Sequence, residues 1–171
     1  MSRETAHEET LRLLTKVGLE EFADKYPSQL SGGMQRRAEL ARALINQPKI
    51  MLMDEPFRGL DAMTRKLMQE YYLKLFEESN ATHVFVTSEL EEAIFLADNL
   101  LVMTNKPSQS KKVIPVDLPR PRDWSMASSK EYLQIKAEAL ELLHEEAVKA
   151  SVASGKVDVD LSGLTGKETT G

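Results

Sequence analysis

The sequence contains no cysteine. That excludes a disulfide framework, a thiolate metal site and a thiol nucleophile. Histidine is scarce: His7, His83 and His144 are scattered, so no His-rich metal cluster is expected. Glycine and proline number only eight and seven in 171 residues, which excludes collagen-like and wholly disordered chains. Basic residues are outnumbered 22 to 27 by acidic ones, for a formal charge of −5. No basic stripe is present, so no nucleic-acid partner is expected. Long apolar runs are missing as well. Runs such as residues 50–53 fall far short of the ~20 residues of a spanning helix. Residues 1–5 are polar and offer no signal-peptide core. The expectation is a cytoplasmic chain that reaches a membrane only through partners.

The composition that remains is globular, 42% hydrophobic and 29% charged. A chain of this length can bury roughly 70% of its unfolded surface. Residues 4–24 read as helix, with Leu11, Leu14, Val17, Leu19 and Phe22 on the apolar side and a break at Gly18. Tyr26-Pro27-Ser28 interrupts the chain. Ser31-Gly32-Gly33 then opens a second helix, with Leu40, Ala41, Ala43, Leu44 and Ile45 inward, and Asn46-Gln47-Pro48 ends it.

Residues 50–54 are too short and too continuously apolar for a helix. They read as a strand buried on both faces. Residues 64–78 return to helical spacing, with Leu67, Met68, Tyr71, Leu75 and Phe76 inward. Residues 83–87 form a second buried strand, 90–97 a helix and 100–103 a third strand. This alternation predicts an α/β fold with a mostly parallel sheet flanked by helices. Residues 113–118 suit an edge strand, because Pro115 cannot donate to a ladder. Pro119-Arg120-Pro121-Arg122 is a stiff connector. Residues 129–149 form an amphipathic helix with Tyr132, Ile135, Ala139, Leu142, Leu143 and Val148 as its stripe. That stripe packs on the domain or docks a partner. The expected organisation is a main domain over 1–118, a connector and C-terminal helix over 119–150, and a disordered tail over 151–171.

Two segments carry chemistry. Asp54 and Glu55 stand at the carboxyl end of the first strand, where open α/β sheets bind ligands. The pair reads either as a solvated acidic loop or as a phosphate-hydrolysis centre. In the second reading one carboxylate holds a Mg²⁺-bound water and the other polarises the attacking water. In Leu30-Ser31-Gly32-Gly33-Met34-Gln35-Arg36-Arg37, two glycines bare the backbone at a helix N-terminus, a ready anion site. The plain alternative is an ordinary serine cap. Arg36 and Arg37, with Glu39 and Arg42, read as a mixed solvated face.

The combination resembles the ATP-binding-cassette (ABC) ATPases. Residues 30–37 resemble their signature motif, 50–55 their Walker B strand and Gly59-Leu60-Asp61 their D-loop. The stretch 56–65 is similar to importer ATPases of the nitrate, sulfonate and taurine type, which usually carry Gly-Ala where this chain has Arg58-Gly59. The resemblance implies a partial P-loop NTPase fold, with part of the helical subdomain and a C-terminal helix. It also implies roles. Asp54 supports Mg²⁺ through water, and Glu55 is the general base or the residue that positions the attacking water. Ser31, Gly32, Gly33 and Gln35 contact ATP held by the opposite subunit, and Asp61 communicates across the dimer. The implied partners are membrane permease subunits, a second ATPase subunit, and a companion fragment carrying the missing loop. ATP and Mg²⁺ bind only in the complete assembly, at the cytoplasmic face of the membrane.

Two departures from the family pattern stand out. No Gly-x-x-x-x-Gly-Lys-Ser/Thr phosphate loop precedes the signature, and the chain is expected to begin inside the helical subdomain. Gly163-Leu164-Thr165-Gly166-Lys167-Glu168-Thr169 imitates the loop, but it has two residues between the glycines and a glutamate after the lysine, so it reads as tail. Ser88 stands where the family places a switch histidine, and it carries no positive charge. His83, at the other end of that strand, reads as a strand-edge residue. The expected function is the ATP-hydrolysing subunit of a small-solute importer. The alternative is a non-catalytic split, truncated or decayed subunit that acts through partner binding.

Overall fold

A computed structural model describes residues 2–77, 79 and 81–154. The pseudo-loop at 163–169 and most of the expected tail lie outside the described residues. The chain divides into two compact units. Met1–Ala97 with Pro119–Trp124 form the first, and Asp98–Leu118 with the residues from Ser125 onward form the second.

The first unit opens with helix α1 (Arg3–Lys16), capped by the Ser2 hydroxyl, which accepts the Thr5 N–H at 3.1 Å. Gly18 ends it in the left-handed region, at φ +64, and a 3-10 turn over Glu20–Phe22 follows. Leu13, Val17 and Leu19 are buried here, whereas Phe22 is exposed. Helix α2 (Gly32–Leu44) buries Ala41 and Leu44 and leaves Ala43 exposed, contrary to the sequence reading. Arg37 corrects the reading of a solvated face. Its guanidinium donates to the Val17 carbonyl at 2.7 Å and lies over the Tyr71 ring, tying α2 to the end of α1.

Strand β1 (Ile50–Asp54) pairs in parallel with β2 (Thr82–Val86), joined by helix α3 (Ala62–Phe76). A parallel pair needs such a crossover. The strands were expected to be buried on both faces. One face packs inward through Met51 and, in part, Met53 and Phe85. The other carries Ile50 (63% exposed), Leu52 (75%), Val84 and Val86, which nothing among the described residues covers. On α3 the inward residues are Met68, Tyr72, Leu73 and Leu75, and Leu67 is exposed, so the buried stripe is rotated from the expected one. Phe57, Tyr72 and Phe85 form an aromatic cluster under the ends of the strands, with the Tyr72 and Phe85 rings edge to face at 4.7 Å. Helix α4 (Leu90–Leu96) is short. The buried Arg122 satisfies the last carbonyls there, donating to Phe95 at 3.2 Å and Ala97 at 2.7 Å.

The second unit corrects the third-strand reading. Strand β3 (Asn99–Met103) does not extend the parallel pair. It forms an antiparallel hairpin with β4 (Ser110–Pro115), in a register that starts earlier than the expected edge strand. Helix α5 (Lys130–Ala153) is capped by Ser129 and buries Tyr132, Ile135 and Ala139, whereas Leu143 of the expected stripe is exposed. Residues 151–153, expected in the tail, continue this helix. The buried Glu146 accepts from Lys111 and Lys149, both at 2.9 Å, and from the Asn105 N–H at 3.1 Å. These bonds, that from Lys111 foremost, hold its carboxyl down to about 2.

His83 is more than a strand edge. Its Nδ1 meets the Tyr72 hydroxyl, and its Nε2 pairs with the Ser79 hydroxyl at 2.8 Å. Burial pushes its pKa below the ordinary 6.5. The folded state therefore binds fewer protons than the unfolded state once pH falls below that value, so stability falls with pH. We expect the melting temperature to drop as pH is lowered through about 6.5, and His83→Gln, which cannot titrate, to flatten that dependence. Parallel pH–melting curves for the two proteins would disprove the link.

Candidate functional site

The parallel ladder places the ends of β1 and β2 side by side, Asp54 opposite Val86. It continues one step further, for the Glu55 N–H donates to the Val86 carbonyl at 2.8 Å. Glu55 is held at φ +46, a left-handed conformation that costs a residue of its kind about 1–3 kcal/mol. Its Oε1 accepts the Ser88 N–H at 3.0 Å, so the carboxylate is pinned across the strand ends. The Arg58 N–H donates to the Glu55 carbonyl at 3.1 Å, closing a tight turn, and the buried Phe57 anchors that turn in the aromatic cluster.

A cavity of about 340 Å³ opens here, lined by Glu55, Phe57, Arg58 and Arg65 from one side and by Ser88, Glu89 and Glu92 from the other. Arg65 pairs with Glu89 at 3.1 Å and donates to the Leu60 carbonyl at 3.2 Å. The buried Glu92 accepts from the Gln69 amide at 2.7 Å. Asp54 is exposed at the strand end beside Glu55. Among the described residues no three His, Asp or Glu side chains are placed to hold a metal. The donor set fits Mg²⁺ only as one carboxylate acting through water, with the remaining ligands from substrate phosphates and solvent, which is a common arrangement for that ion.

The signature-like segment forms a second group. Ser31 caps α2 and accepts the Met34 N–H at 3.3 Å. Gln35, expected to contact nucleotide, reaches back to the preceding loop. Its amide donates to the Pro27 carbonyl at 2.9 Å and the Leu30 carbonyl at 3.0 Å, bracing the loop that leads into the helix. A Cβ on Gly32 would meet nothing within 4 Å, and one on Gly33 would meet only the Thr64 methyl, at 3.6 Å. The packing of the chain therefore does not demand glycine at either position. Their effect is to leave the helix N-terminus and its free N–H groups open to an approaching group. Asp61 caps α3, accepting the Met63 and Thr64 N–H groups at 3.1 and 3.0 Å. Hydrogen bonding from the Thr64 side chain, then from these amides, holds its carboxyl below the ordinary range. The Gly33–Thr64 approach brings the N-termini of α2 and α3 together.

Glu55 and Ser88 thus meet in one cavity, and Ser31, Gly32, Gly33 and Asp61 cluster around two helix starts. The lining of the cavity includes neither Ser31 nor Gly32. Sequence reasoning gave no role to Arg65 or Glu92. The density of charge after Ser88 was the available signal.

Residues 2–58 match the family model described as ABC transporter. The chain is 44% identical over 139 residues to an uncharacterised ABC transporter ATP-binding protein of Methanocaldococcus jannaschii, covering 81% of this chain and 51% of that protein. It is 40% identical over 146 residues to the nitrate import ATP-binding protein NrtC of Synechococcus elongatus, covering 84% of this chain and 22% of that protein. A solved dimeric ATP-binding cassette in a post-hydrolysis state, bound to ADP and Pi, superposes with a TM-score of 0.53. It is 33% identical and covers 70% of this chain and 50% of that one. The chain spans about half the length of the curated relatives it matches.

The open space at Gly33 yields a test of whether its glycine serves the fold. Gly33→Ala is expected to leave thermal stability unchanged or to raise it by up to about 1 kcal/mol, as alanine does in a helix. Denaturant titration checks this. A loss above about 1 kcal/mol would show that the fold itself needs the glycine.

Proposed function

Because the chain belongs to the ABC transporter ATPase family, we propose that residues 2–154 supply the signature and catalytic-carboxylate side of an ATP-hydrolysing site that drives import of a small solute. The observation that carries this reading is the placement of Glu55. It is held in a strained conformation at the end of a parallel strand pair, with its carboxylate oriented by the Ser88 N–H and facing an open cavity. Strain at such a position is characteristic of functional sites.

In this reading Glu55 takes a proton from water as the water oxygen bonds the γ-phosphorus. The bond from that phosphorus to the β-bridging oxygen breaks, and ADP and inorganic phosphate leave. Mg²⁺, when bound beside Asp54 through water, supplies neutralising charge to the phosphates. Ser31, Gly32 and Gly33 offer the α2 N-terminus to the γ-phosphate of a nucleotide held by the opposite subunit. Asp61, at the adjoining helix start, transmits that contact, and Gln35 keeps the loop in shape. The phosphate cradle is not among these 171 residues; in this reading it is supplied from outside them, by further sequence of the same protein or by a companion half. No described helix is long and apolar enough to cross a membrane. In this reading the chain works with membrane-embedded permease subunits, at their cytoplasmic face. The likeness to a nitrate import protein supports the nitrate, sulfonate and taurine subgroup, with solute choice residing in the partners. A non-catalytic role through partner binding is the second reading, favoured by the neutral Ser88 at the switch position.

The two readings separate by experiment. The 171-residue chain alone is expected to show no submicromolar MgATP binding by calorimetry, since the lysine and backbone cradle are not in it. Joined with the half that carries the phosphate loop, it is expected to hydrolyse ATP. Glu55→Gln should then lower turnover by about 10²-fold or more while ATP-driven association persists. Equal turnover by the Glu55→Gln assembly would contradict the catalytic role, and no turnover by the parent assembly would favour the partner-binding reading.

A further inference from the structure

We propose that Arg58 is the cation this site directs at the transferred phosphate, acting in cis as arginines supplied by partner proteins do in other phosphoryl-transfer sites. The inference rests on the reading of Glu55 given above and adds a residue to it.

Five observations carry it. Arg58 is tethered to the catalytic carboxylate, because its N–H closes the turn onto the Glu55 carbonyl at 3.1 Å, fixing the two residues on the same short reversal. It lines the same cavity as Glu55 and Ser88. Every other charged side chain around that cavity is engaged: Arg65 with Glu89, Glu92 with Gln69, and Glu55 with the Ser88 N–H. The Arg58 side chain is exposed and makes no hydrogen bond or ion pair among the described residues. Finally, the turn does not need an arginine. Phe57 provides the buried anchor, and Gly59, at φ +81, provides the reversal.

The charge balance gives this residue its use. Three carboxylates and two guanidinium groups line the cavity, so without Arg58 an incoming triphosphate meets a strongly acidic wall with its single cation already paired. Ser88 contributes a hydroxyl and no charge. An arginine presents five donors in a planar fork matched to phosphate oxygens, and its charge does not titrate near neutral pH. It can follow the γ-phosphate as negative charge shifts during transfer. The bond changes are those already given. Arg58 neither donates nor accepts a proton in them.

The experiment uses the complete ATPase that contains this chain. Arg58→Ala is expected to lower turnover by about 10²-fold, the usual effect of removing one preorganised contact to developing charge, with Arg58→Lys intermediate. In the non-hydrolysing Glu55→Gln background, Arg58→Ala should weaken binding of ATP about tenfold and leave binding of ADP and the melting temperature unchanged. Adding Ser88→His to Arg58→Ala should restore part of the rate. The restored rate should follow a histidine titration near the ordinary value of about 6.5, which the parent lacks. Parent-like turnover by Arg58→Ala while Glu55→Gln is inactive would overturn the role of Arg58 and leave that of Glu55 standing. Parent-like turnover by Glu55→Gln would overturn both. Equal weakening of ATP and ADP, or a lowered melting temperature, would make Arg58 a structural residue and overturn the proposal.

Discussion

The parallel pairing of β1 with β2, carried one residue past the strands by the Glu55 N–H and the Val86 carbonyl, is the constraint from which the site follows. Once those strands are in register, the chain leaves both ends at the same level. Glu55 and Ser88 become neighbours although 33 positions separate them. The same pairing brings Phe85 beside Tyr72 and Phe57, so the aromatic cluster that anchors the β1 turn is built from the strand that carries the other half of the site. Packing and chemistry share one element here. A shift of register by one residue would turn the inward side chains outward and part Glu55 from Ser88.

Parallel sheets are ordinarily covered on both faces. Among the described residues β1 and β2 are covered on one, and the other keeps Ile50, Leu52, Val84 and Val86 exposed. The apolar runs 50–53 and 84–86 were legible as strands for that reason, since their composition suits burial on both sides. Their exposure was not legible, because continuous apolarity says what a strand is made for and not which neighbours this chain supplies. The third strand misled in the opposite way. Residues 100–103 look like another parallel strand, but strand direction depends on pairing with residues 110–115, whose Ser-Lys-Lys start carries no strand signal. On α3, reading the apolar positions alone placed Leu67 inward. The structure buries the polar Gln69 beside Met68, because its amide serves the buried Glu92.

The candidate site was legible where its chemistry is local. Serine before two glycines reads as a helix start, and Ser31 caps α2. Asp61 was read only through its likeness to a D-loop, and the structure shows that it also caps α3. What escaped was everything set by contact at a distance. The Gln35 amide reaches two carbonyls of the preceding loop, a contact the motif does not announce. Arg37, read as solvated, holds the Val17 carbonyl 20 positions away. Arg58 drew notice only as a departure from a family pattern. Its meaning depends on a turn hydrogen bond and on a count of engaged neighbours that no spacing reveals.

The central claim is that two separate groups, the α2 start and the Glu55 cavity, both serve bound nucleotide. Backbone amide resonances test this directly. In the assembly completed with a phosphate-loop half and carrying Glu55→Gln to prevent turnover, addition of MgATP should perturb the amides of Ser31, Gly32 and Gly33 and those of residue 55, Phe57, Arg58 and Ser88, and leave the β3–β4 hairpin little changed. Perturbation absent from both groups, or confined to residues outside them, would contradict the account.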